Sequence, residues 1–148
     1  MDCIVCATRG GEGSRAVQLA AIERARLTGS NLIFLFVADS TIQTEVDEPL
    51  RAAVREELFW MGNAMLQIAK QRAGARDIDV SLVVREGNVQ EEIGSFLRES
   101  SADLLLLGAP RGTTATIFGD DAIEQFAQSI VDSTGVAVEV VRPESQTH

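Results

Sequence analysis

The sequence predicts an α/β fold: a three-layer, doubly wound sheet of five parallel strands with helices on both faces. Two observations carry this expectation. Five short aliphatic segments alternate with four segments of helical periodicity along the 148 residues. Strands separated by helices run parallel and connect through right-handed crossovers. In addition, the segments 31–37 and 103–107 are apolar at nearly every position, as strands covered on both faces are. These two are read as central strands.

Residues 2–8 form the first strand, and Gly10 leaves no room for a longer element. The Gly-Gly-Glu-Gly-Ser loop follows, with Ser14 placed to cap a helix. Val17, Ala20, Ala21 and Ala25 recur at helical spacing, and Gly29 ends that helix. Their small side chains predict a helix lying close against the sheet. Asn31 to Val37 is the second strand. The polar, acidic stretch Asp39 to Asp47 reads as loop, and Pro49 suits the first turn of a helix. Val54, Leu58, Met61, Met65 and Ile68 then repeat at three and four, predicting a long helix to about Arg72 that buries this stripe. Adjacent Phe59 and Trp60 cannot share that face. One is expected on its flank, the other against a partner subunit, over a cleft, or under the 39–48 loop.

Val80, Leu82 and Val84 alternate as a third strand. Asn88 with Glu91 three residues on resembles a capping box, opening a helix with Val89, Ile93, Phe96 and Leu97 on its apolar face. Leu104 to Leu107 is the fourth strand. Ile123, Phe126, Ala127, Ile130 and Val131 mark the fourth helix, ended near Gly135. Val136 to Val141 is the fifth strand, and Glu139 inside it predicts an edge position. One domain accounts for residues 1–142, followed by a polar C-terminal tail at 143–148.

Composition narrows the function. A net charge of −9 with scattered arginines argues against nucleic-acid binding, which needs phosphate neutralisation by a basic face. No apolar run approaches the roughly 20 residues that cross a bilayer, and no basic segment precedes an apolar one at the N-terminus. No membrane partner and a cytoplasmic location are the expectations. Cys3 and Cys6 have C-x-x-C spacing but lie within one strand, where positions three apart face opposite sides. They read as small buried residues and not as a redox pair. The single histidine is His148, so histidine-based triads and histidine metal sites are set aside, and no metal site is expected.

The segment Asp103-Leu-Leu-Leu-Leu-Gly108, with the loop that follows it to Gly119-Asp120-Asp121, is where an open α/β sheet binds ligands: beyond a strand's carboxyl end and facing a helix N-terminus. Several segments together resemble the universal stress protein family over nearly the whole chain. They are Glu12-Gly-Ser14 with the alanines after it, Leu32 to Asp39, Gly87-Asn-Val-Gln-Glu-Glu-Ile93, Asp103 to Gly108 and Gly135 to Val141. The resemblance implies the sheet order 3-2-1-4-5 and a dimeric stress-response protein. It also implies a family in which one branch binds ATP or AMP and another does not.

The binding branch carries G-x2-G-x9-G-[S/T] after the fourth strand and an aspartate after the first. In this chain Gly108, Gly112 and Gly119 are separated by three and six residues, Asp120 replaces the hydroxyl, and Arg9 stands at the aspartate position. Asp120 or Asp121 could cap the helix and occupy the N–H groups that a phosphate would use. The candidate crevice therefore comprises Ala7, Thr8 and Arg9 after the first strand, Val37 and Asp39 after the second, and Gly108, Arg111, Gly112, Gly119 and Asp120 around the fourth-strand loop. The expected function is a non-enzymatic regulatory or binding module with weak or absent ATP affinity, forming a homodimer through strand 136–141. The alternative is an ATP- or AMP-binding protein, with magnesium, that uses a re-shaped Gly108–Gly119 loop. A second alternative, a nucleotide-hydrolysing or phosphoryl-transfer enzyme, lacks a histidine base and a Walker lysine, since Lys70 falls late in a long helix.

Overall fold

The computed structural model describes residues 2–8, 13–40, 45–108 and 119–142. Nine elements follow one another: β1 (Cys3–Ala7), α1 (Gly13–Thr28), β2 (Asn31–Asp39), α2 (Glu48–Gly74), β3 (Val80–Gly87), α3 (Val89–Ser100), β4 (Leu104–Gly108), α4 (Gly119–Thr134) and β5 (Ala137–Val141). The strands form one parallel sheet in the order β3-β2-β1-β4-β5. The two apolar strands read as central, β2 and β4, flank the short β1, all five of whose residues are buried.

Two hydrophobic layers sandwich the sheet. On one face Val17, Ala21, Ile22 and Ala25 of α1 and Leu66, Ala69 and Ala73 of α2 cover Ile4, Phe34 and Leu106. On the other, Ile93, Phe96 and Leu97 of α3 and Ile123, Ala127 and Ile130 of α4 cover Val5, Leu35 and Leu107. Alternation along β1 sends Cys6 into the first layer and Cys3 into the second, so the two thiols face opposite ways. Both are free and buried, and burial raises the pKa of each. Neither is a ready thiolate.

Local signals account for the element ends. Gly29 takes φ 68° after α1, a left-handed conformation that a Cβ would strain. Asn88 caps α3, its side chain accepting from the Glu91 N–H at 3.0 Å. Before β4, Asp103 Oδ2 accepts from the N–H groups of Asp2 and Cys3 at 2.8 and 3.0 Å. The Asp103 N–H donates to the Cys3 carbonyl at 2.8 Å. This fixes the start of β4 beside the start of β1, so both strands end at the same level.

Three expectations are corrected. Ser14 lies within α1, whose first residue is Gly13, and not at its cap position. The last strand begins at Ala137, with Val136 buried just before it. The third correction concerns the buried stripe of α2. Gly62, Leu66, Ala69 and Ala73 face the sheet, with Leu58, Phe59 and Met65 packed alongside. Met61 and Ile68, placed on the buried stripe by their spacing, are 40% and 45% exposed. A helix pressed close to a sheet selects small residues at the contact, so the stripe of large apolar residues is displaced from the true face.

Candidate functional site

The sheet leaves a cleft above the carboxyl ends of β1, β2 and β4. It measures about 360 Å³. Thr8, immediately after β1, is 2% exposed, and its N–H donates to the Leu35 carbonyl at 2.8 Å. Asp39 ends β2 and Gly108 ends β4 at the rim. The walls are apolar: Met61 of α2, Val89 and Ile93 of α3, and Ile123 and Phe126 of α4. Helices from both faces thus meet at one strand terminus, the place where doubly wound sheets hold ligands.

The structure brings Ala7, Thr8, Val37, Asp39 and Gly108 together around this cleft. Gly119 opens α4, and Asp120 and Asp121 follow in its first turn. A helix start presents unpaired N–H groups and a positive dipole end, favourable to anions. Arg9, Arg111 and Gly112 lie outside the described residues.

A polar chain behind the cleft was not foreseen. Gln18 of α1, 1% exposed, donates from Nε2 to Thr8 Oγ1 at 3.1 Å. Its Oε1 accepts from Arg72 Nη1 of α2 at 2.5 Å. Burial, and secondarily the charge of Arg15, lowers the Arg72 pKa. The signal was present in the sequence. Gln18 shares a helical face with Val17, Ala21, Ile22 and Ala25, and a polar residue on an apolar face demands a partner. The partner residue, 54 positions away, could not be identified by spacing.

Among the described residues, no group of three or more histidine, cysteine, aspartate or glutamate side chains could hold a metal ion. No described helix is long and apolar enough to cross a membrane.

Residues 1–142 match the model of the universal stress protein family. A universal stress protein family structure from Burkholderia pseudomallei superposes with a TM-score of 0.74 at 19% identity, covering 95% of each chain. A family member from Arabidopsis thaliana with AMP bound gives 0.65 at 13% identity, covering 99% of this chain and 95% of that one. A universal stress protein in complex with cAMP gives 0.63 at 20% identity, covering 95% and 96%. No curated protein matches the chain.

Proposed function

Since the chain belongs to the universal stress protein family, we propose that it is a non-enzymatic binding module whose cleft takes an adenine mononucleotide in preference to ATP. It works as a cytoplasmic homodimer joined through β5. The observation that carries this reading is the cleft itself. Small-molecule sites span roughly 300–1,000 Å³, and about 360 Å³ between apolar walls suits a nucleoside with a short anionic group. Relatives of the same fold hold AMP and cAMP. The base packs among Val37, Val89, Ile93 and Phe126, and the phosphate lies toward Gly108.

ATP is disfavoured by charge. Each close pair of like charges costs about 1 kcal/mol or more near a surface, and the sequence puts Asp120 and Asp121 directly after Gly119, where the binding branch carries a hydroxyl. A mononucleotide carries less charge and reaches less far.

Calorimetric titration with AMP, cAMP and ATP, each with and without magnesium, tests the reading. AMP should bind at least about tenfold more tightly than ATP, a difference of about 1.4 kcal/mol. ATP binding as tight as AMP binding, or no binding of either, would overturn it.

A further inference from the structure

The chain Arg72–Gln18–Thr8 has a direction. A guanidinium is a donor only, so the atom of Gln18 that meets Arg72 at 2.5 Å must be the amide oxygen. The amide nitrogen therefore faces Thr8, at 3.1 Å, and the Thr8 oxygen must accept. A hydroxyl that accepts keeps its own proton to give. Among the described residues nothing takes that proton, although Thr8 is 2% exposed and a buried donor without an acceptor is costly. The open space beside Thr8 is the cleft it lines.

We infer that Thr8 is a specificity-determining donor at the cleft floor, held in that role by Gln18 and Arg72, and that it reads a ring-nitrogen acceptor on the ligand's base. The inference rests on the reading that the cleft binds an adenine nucleotide and adds how the base is recognised. Phosphate oxygens are also acceptors, but the proposed pose puts the phosphate at the rim beside Gly108. The floor lies among apolar walls that suit a flat ring. A site built to donate rejects a ligand lacking the acceptor, because its buried proton is then left unpaired.

The test uses AMP and its 1-deaza, 3-deaza and 7-deaza analogues, in which a ring nitrogen becomes C–H, titrated into the intact protein. One analogue should bind about tenfold or more weaker than AMP. Thr8→Val should weaken AMP by a similar factor and abolish the difference between AMP and that analogue, whereas Thr8→Ser should preserve both. Because Thr8→Val also strips Gln18 of its acceptor and could unfold the chain, Gln18→Glu supplies an independent arm. It keeps the shape and the bond to Arg72, but its carboxylate takes the Thr8 proton and reverses the chain, so discrimination against the analogue should vanish in a folded protein. If wild type discriminates among none of the analogues, or if Gln18→Glu discriminates as wild type does, the inference is overturned while nucleotide binding stands. If wild type binds no AMP, both fall.

Discussion

Gly62 of α2 rests on the ring of Phe36 in β2: a Cβ built on the glycine would overlap Cδ2 and stand 2.5 Å from Cε2 and 2.8 Å from Cγ. No other residue type fits without moving the ring or lifting the helix. Phe36, 4% exposed, also lines the cleft, so this contact sets both the packing of α2 and one wall of the site. Gly62→Ala should destabilise the protein. Overpacking costs about 1–3 kcal/mol, and the alanine returns up to about 1 through helix propensity. Urea unfolding measures the difference, and Phe36→Leu added to Gly62→Ala should recover part of it. An unchanged or raised midpoint for the single variant would show that the ring has room to move.

This contact also explains how far the fold could be read from the sequence. The strands were legible because aliphatic runs covered on both faces leave few alternatives. In α3 and α4 the large apolar residues do face the sheet, and in α1 Val17 and the spaced alanines Ala21 and Ala25 do, so these helices were legible. In α2 the rule failed: Gly62, Ala69 and Ala73 make the contact with the sheet, while Ile68 is exposed and Met61 turns to the cleft. The cleft followed from strand ends alone, so Thr8, Asp39 and Gly108 could be named in advance. Met61, Val89 and Phe126 could not, since helix tilt decides which side chains reach a strand terminus.

Asp103 gives a pH dependence whose sign is fixed. The N–H groups of Asp2 and then Cys3 favour its ionised form and hold its pKa below the usual carboxylate range. A depressed folded pKa contributes stability above the unfolded value, near 3.9, and that contribution disappears as pH falls through the folded value. Asp103→Asn should therefore be less stable than wild type at neutral pH. The gap should narrow progressively below about pH 4. Thermal unfolding of both proteins from pH 7 to pH 2.5 checks this, and a gap independent of pH would assign the loss to shape instead of charge.

Trp60 is the single tryptophan, and it is 75% exposed on the outward face of α2. Its emission should be that of a solvated indole and should be quenched readily by iodide. Trp60→Gln should leave stability within about 0.5 kcal/mol, as surface changes away from special features do. A blue-shifted, protected signal that becomes exposed on dilution would place a subunit contact on α2 and count against an interface at β5.

The turn Gly119-Asp120-Asp121 tests the electrostatic argument directly. Changing both aspartates to serine removes two negative charges and restores a hydroxyl after the glycine. ATP affinity should rise by about tenfold or more, while adenosine, which carries no phosphate, should bind as before. Titrations in low and high salt separate charge from shape, because the gain should shrink as salt screens the site. An equal gain for adenosine would mean that the substitutions reshaped the cleft.

The proposed dimerisation through β5 rests on the edge that this strand presents. Among the described residues it pairs with β4 alone, so its other side presents backbone groups that no described strand pairs, an association liability unless covered. Val138 and Val140 pack toward α4, and Glu139 faces the other way, where it bonds Arg24 at 2.6 Å. Neither face of the strand is therefore free, and association must use its outer backbone edge. A two-fold partner strand would pair that edge with its own copy. Sedimentation should give a dimer at micromolar concentration. Hydrogen exchange should show the outward amides of 137–141 protected, with protection lost on dilution. A monomer at high micromolar concentration would remove the idea, and so would a dimer in which those amides exchange freely.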